Sequence, residues 1–252
     1  MKLLNTINLI GIVGLQFLST VNASGLTIDK MFVIADKNKN GIVTVANTND
    51  KPLFVNANID EFHVNDKGSD FIKTPYNSGN FEHWKISTTL NKLVLQPGES
   101  RNVGIRSLCY NTTCDDSKDL MFFVTFMPAP YKGPNESVEN SSSMQLNYGF
   151  APVFIIPTDK PKIDYTIRSN SENITVENKS NTMIYVSIDD CESKTNTKQC
   201  YSRFVVVAGR TKTFSLNERV KDKSLNINVS SYNGSYKTEK VLHPLGFIKD
   251  KT

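Results

Sequence analysis

The sequence predicts an all-β protein of two antiparallel sandwich domains, and three observations predict it. Short segments rich in β-branched and aromatic residues recur along the chain, separated by clusters of Asn, Asp, Gly, Pro and Ser. No long window after the first residues carries an apolar period of 3.6, so helices are not expected. The chain is also too long for one sandwich and suits two domains of about 100 residues each.

The first residues are set apart from both domains. Lys2 precedes an apolar stretch from Leu9 to Leu18, and Val21-Asn22-Ala23 then places small residues at a cleavage spacing. Residues 1–23 therefore read as a secretory signal peptide, and the exported chain is expected to begin at Ser24. The apolar stretch is about half of the roughly 20 residues a helix needs to cross a bilayer, and no later window is apolar enough to cross one. No transmembrane segment is expected.

The first domain is expected over 24–157, with strands at Leu26 to Ala35, Gly41 to Ala46, Leu53 to Ile59, Lys92 to Leu95, Asn102 to Leu108 and Leu120 to Met127. Asp36 to Gly41 reads as a turn. A second set of strands, expected over 158–252, runs from Ile163 through Tyr165–Ile167, Ile174–Val176, Met183–Ile188, Phe204–Val207, Thr213–Leu216 and Leu225–Val229 to Tyr236–Leu242. Pro157-Thr158-Asp159-Lys160-Pro161 lies between them. Its two prolines fix φ and restrict the residues before them, which makes a short, stiff hinge.

Composition excludes several classes of function. Removing the leader takes away Lys2 and no acid, one unit off a formal charge of +4, and lysines are spread along the chain, so nucleic acid is not an expected partner. The four cysteines fall as two local pairs, Cys109 with Cys114 and Cys191 with Cys200, which in an exported chain reads as two small disulfide loops. The crossed pairings stay open at this point. A zinc site would need convergence of two distant pairs, since His63, His83 and His243 lie elsewhere. Asp115-Asp116 and Asp189-Asp190 lack the fuller oxygen pattern of a calcium site. The Asn-x-Ser/Thr triplets at Asn111, Asn135, Asn140, Asn173, Asn178, Asn228 and Asn233 are what an Asn-rich chain produces by chance. No nucleophile elbow, zinc-protease helix or phosphate loop is present, so neither an enzyme nor a cofactor is expected.

Three stretches, in order, resemble the periplasmic chaperones of the chaperone–usher family. They are Leu93-Val-Leu-Gln-Pro-Gly-Glu-Ser-Arg101 running into Val103 to Arg106, Asp119 to Pro130, and Met144 to Pro157. Ile174 to Val186 and Val207 to Arg210 are similar to stretches of that family's second domain. The resemblance implies two immunoglobulin-like sandwiches and a periplasmic location. It also implies capture of fimbrial or pilus subunits by donation of a β-strand, with delivery to an outer-membrane usher. An adhesive fibre subunit or a secreted binding ectodomain is the alternative.

Met144, Leu146, Tyr148 and Phe150 alternate with Gln145, Asn147 and Gly149, so they share one face of a strand. Taken alone that face would pack into the domain's own core; the resemblance makes it the subunit-binding face. The polar loop before it, from Tyr131 to Ser143, holds Gly133-Pro134 and a run of serines. Family members grip the subunit's terminal carboxylate with an arginine on the first strand and a lysine near the end of the last strand of domain one. Those positions hold Phe32 and Pro152 here. Arg106 and Lys30 are the expected replacements, each two residues from a position where the family carries a basic residue or this chain carries Phe32.

Overall fold

The computed structural model describes residues 25–130, 148–170, 172–189, 201–216, 218 and 220–252. Among them the chain forms two immunoglobulin-like sandwiches, four sheets in all, with strands numbered here in chain order. The first sandwich joins a sheet of β1 (Leu26–Ile28), β3 (Gly41–Asn47), β8 (Ser100–Ser107) and β6 (Ile86–Thr88) to a six-stranded sheet. That sheet runs β2 (Phe32–Ile34), β10 (Val153–Ile156), β9 (Leu120–Pro130), β4 (Leu53–Val64) and β5 (Phe71–Pro75), with β7 (Lys92–Leu95) also on β4. The second sandwich faces β15 (Thr211–Ser215), β12 (Asn173–Asn178), β11 (Asp164–Ser169) and β18 (Phe247–Lys251) against β14 (Tyr201–Val206), β13 (Ile184–Asp189), β16 (Leu225–Ser231) and β17 (Lys237–Leu242).

Alternation drives each half. On β9, Leu120, Phe122, Val124 and Phe126 point into the first core with Val43, Val45, Val103 and Ile105 from the facing sheet. On β13, Ile184, Val186 and Ile188 enter the second core beside Tyr165, Ile167 and Val176. Each fully buried aliphatic or aromatic side chain contributes roughly 1.5–3 kcal/mol.

Leu26 to Ala35 is not one strand. The chain crosses from one sheet to the other at Asp29–Met31, so that β1 pairs antiparallel with β3 and β2 pairs parallel with β10. The crossing is held by the Asp29 carboxylate, which accepts from the Thr44 amide at 2.9 Å. The sequence does not predict strands β5, β6 and β18; β6 is only three residues long, and the residues of β5 are exposed on both faces.

Two buried asparagines close corresponding turns. Asn47 donates through Nδ2 to the carbonyls of Lys51 (2.9 Å) and Leu95 (3.0 Å) and accepts from Asn49 N. Asn178 donates to Thr182 O, Val206 O and Val207 O and accepts from Ser180 N. Asn178 is 1% exposed with its amide fully engaged, so its Asn-Lys-Ser triplet is not available to a glycan.

The two sandwiches meet over a third apolar cluster. Phe62, Met121 and Ile155, on the outer face of the six-stranded sheet, pack with Met183 and Val207 of the second sandwich. Beside this cluster Asp119, buried at the foot of β9, binds three segments at once. One carboxylate oxygen accepts from Thr158 N (2.9 Å), and the other accepts from Met183 N (2.8 Å) and Thr182 Oγ1 (3.1 Å). Burial pushes this carboxyl above the usual carboxylate range, against the pull of the three hydrogen bonds. A second latch joins the β4–β5 hairpin to the β14–β15 turn. Thr211 N donates to Gly68 O, and Arg210 donates to Ser69 O while lying over the Phe71 ring.

Candidate functional site

The segment leading into β10 is paired on one side only. Phe150 exchanges both main-chain bonds with Phe126 (2.7 and 3.0 Å), and Val124 N donates to Pro152 O at 3.0 Å. The amides and carbonyls of Gly149 and Ala151 therefore point away from β9. Further along, that far side is covered by β2, since Val153 N donates to Met31 O and Ala35 N to Ile155 O. Residues 148–152 lie beyond the reach of β2. Among the described residues the main-chain groups of Gly149 and Ala151 meet no partner.

Pro152 does not spoil this edge. Its nitrogen faces Val124, so the bond it forfeits is one to β9, and the outward row keeps both donors and both acceptors. Gly149 is required by the close approach of β9: a Cβ there would sit 2.8 Å from Phe126 O.

Of the four residues expected on the binding face, Met144 and Leu146 lie outside the described residues. Tyr148 is 57% exposed. Phe150 is half-buried and packs against the first core opposite Phe126, so its face continues that core toward the end of the sandwich.

The two cations expected to grip a carboxylate are not brought together. Arg106 lies on β8 opposite Ser87, in the sheet that lacks β10. Lys30 stands at the crossing that precedes Met31, where the uncovered row begins, with Nζ 3.2 Å from Asp29. Burial opposes ionisation of Asp29, but the Thr44 amide and Lys30 hold its carboxyl below the usual range. Phe32, at one of the positions where the resemblance expects a cation, pairs with Val153, the residue after Pro152.

Sequence reasoning missed the cations of the cleft between the sandwiches. Lys73 Nζ lies 4.6 Å over the Phe123 ring on one wall, and Arg203 Cζ lies 3.7 Å over Tyr185 on the other. Neither meets a carboxylate among the described residues. The only sequence signal for them is an aromatic at matching strand parity, which is visible once the pairing is known.

Cys109 and Cys114 form a disulfide, with Cα atoms 5.4 Å apart; Cys191 and Cys200 lie outside the described residues. A recess of about 560 Å³ near this loop is lined by Glu61, Tyr76, His83 and Lys85 among others. Its polar groups already serve one another: Tyr76 donates to Glu61 at 3.1 Å and accepts from Lys85 N at 3.0 Å, while Lys85 pairs with Glu61. His83 is exposed and faces Glu82. Among the described residues no cluster of His, Cys, Asp and Glu could hold a metal, and no helix is long and apolar enough to cross a membrane.

A two-sandwich protein whose first sandwich leaves an uncharged row of main-chain groups open before β10 is the class that the fold and site define. Residues 28–157 match the sequence profile of the CS5 fimbrial protein N-terminal domain, and the chain belongs to that family. No curated protein matches it in sequence. Among solved structures it is similar to the class 5 fimbriae chaperone CfaA, with 12% identity, a TM-score of 0.49 and coverage of 86% of this chain and 98% of that one. It is also similar to the E. coli chaperone DraB (13%, 0.49, 86% and 98%). A third is a chain from the complex of Salmonella enterica SafA pilin with the SafB chaperone (14%, 0.48, 86% and 96%).

Proposed function

We propose that the protein is a periplasmic chaperone of fimbrial subunits, exported by its leader, that binds a subunit by strand addition and passes it to an outer-membrane usher. It acts by binding alone. The observation that carries this reading is the open row at Gly149 and Ala151, where an incoming strand finds two donors and two acceptors. Membership of a fimbrial family and the ordered sequence resemblance support it.

The row also limits the subunit's pose. A strand running in the direction of β2 ends head-on against Met31, so its terminal carboxylate arrives beside Lys30. Lys73 and Arg203 in the cleft are the further cations open to it. Arg106, in the opposite sheet, has no part. Met144, Leu146 and Tyr148 supply the apolar face that enters the subunit's groove, and Phe150 is shared with the chaperone's own core.

Ala151→Pro tests the reading, because it removes an outward donor and leaves every bond to β9 in place. The variant is expected to keep its thermal midpoint and to lose capture of a co-expressed fimbrial subunit by about tenfold or more. Undiminished capture by a folded Ala151→Pro variant would falsify strand addition at this edge. The family description also favours a second reading, a structural fimbrial subunit. In that case the protein itself would be recovered in sheared surface fibres, where a chaperone would be absent.

A further inference from the structure

The turn that carries the chain from β17 in one sheet to β18 in the other has two costs at one residue, and nothing among the described residues offsets them. Leu245 has φ +59°, a left-handed conformation that its γ-branched side chain disfavours, and it is 77% exposed. Phe247, two residues on, is 72% exposed on the outer face of the sheet's edge strand. The turn is well formed rather than loose. Gly246 N donates to His243 O at 2.9 Å, Ser169 N donates to Gly246 O at 3.1 Å, and His243 Nδ1 lies 2.9 Å from Ser224 Oγ. A strained leucine held outward by an ordered turn has its use outside the molecule.

The charges around the tip say what lies there. Arg168 pairs across from Phe247, Lys249 follows on the same face of β18, and Lys223 is exposed in the turn bonded to His243 through Ser224. None of the three forms an ion pair among the described residues, and Asp222 offsets one of them. The charge is uneven along the chain as well. After residue 157 Lys and Arg outnumber Asp and Glu, and between residues 24 and 157 the reverse holds. An exposed apolar tip bordered by more cations than acids matches the boundary of an anionic bilayer, where apolar side chains enter and basic ones meet phosphate.

We propose that this turn seats the protein on an anionic lipid surface, with Leu245 and Phe247 in the headgroup boundary and Arg168, Lys223 and Lys249 on lipid phosphates. The open row of the first sandwich is far along the chain from this tip, so the two sites are tested separately. The test is co-sedimentation of the full protein with phosphatidylcholine vesicles, plain or containing about one-third phosphatidylglycerol, with Leu245→Gly and Phe247→Ser compared. Binding is expected to be at least about fivefold stronger on the anionic vesicles and to fall by about tenfold in each variant. Leu245→Gly should keep or raise the Tm, because glycine takes this φ without cost. A lower Tm for Leu245→Gly means that the leucine serves the fold, and the proposal fails. It fails equally if both vesicles bind alike or if the variants bind as the native chain does. Binding to neither vesicle leaves the tip to an acidic protein surface and overturns the lipid assignment.

Discussion

Asn47 in the first sandwich and Asn178 in the second occupy the same place: each ends a strand, each is buried, and each ties the next turn to a later strand, β7 at Leu95 or β14 at Val206. The edges differ. In the second sandwich, edge strands β15 and β17 carry Lys212, Lys237, Glu239 and Lys240, charges that discourage another strand from adding. In the first, Tyr148 to Pro152 carries no charge at all. Two copies of one architecture thus keep their interiors alike and diverge at the rim, which is where a binding function can be added without disturbing the core.

The largest expected effect tests the shared interior. Asn178→Ala leaves the carbonyls of Thr182, Val206 and Val207 and the amide of Ser180 without their partner, and is expected to cost about 4 kcal/mol. Asn47→Ala, with one bonded carbonyl fewer, is expected to cost about 3 kcal/mol. Equal or reversed losses in urea titrations would break the correspondence between the two turns.

A smaller effect is expected where the sandwiches join. Asp119 uses both carboxylate oxygens as acceptors, one for Thr158 and one for Thr182 and Met183, whereas asparagine has only one. Asp119→Asn is expected to cost about 2 kcal/mol and to split a single melting transition into two. One unshifted transition would show that the apolar cluster alone joins the halves.

The smallest effect is acid response, and its sign differs between the regions. The Lys240 ammonium, joined by Tyr236, holds the Asp250 carboxyl of the second sandwich below its usual range, against the effect of burial. A depressed pKa gives stability that is present above the unfolded value, about 3.9, and lost as the pH falls through the folded one. Asp119 has a raised pKa, so its protonated form is the one the folded state favours. It gives stability present below about 3.9 and lost as the pH rises through the folded value. Melting curves between pH 3 and pH 7 should therefore show the gap between native protein and Asp250→Asn closing at the acid end. A gap that stays constant would remove Asp250 from the account.

Much of this was legible in residue order. Alternation in Leu120 to Met127 and in Met183 to Ile188 marks strands and their buried faces, and Pro157 to Pro161 marks the join between the sheet pairs. Phe71 to Pro75 shows no alternation because an edge strand exposed on both faces has no apolar side to repeat. The crossing at Asp29–Met31 contains no Gly or Pro, so it reads as continuous strand. At the site, parity marked Tyr148 and Phe150, but the opening itself belongs to the backbones of Gly149 and Ala151 and depends on where β2 stops. Arg106 stands in the other sheet from the open row for a related reason: parity assigns a side chain to a face of its strand and says nothing of which sheet that strand joins.

Pro152 also divides the β9–β10 hairpin into two cooperative units. With no N–H at residue 152, the Val124 carbonyl loses its partner there, and before the proline Phe150 is tied to β9 by a reciprocal pair of bonds with Phe126. The residues after it are held on both sides, by β9 and by β2. Amide protons of Phe126 and Phe150 can then exchange through a local opening that leaves those of Phe122 and Phe154 protected, so the segment can loosen while the sandwich behind it stays intact.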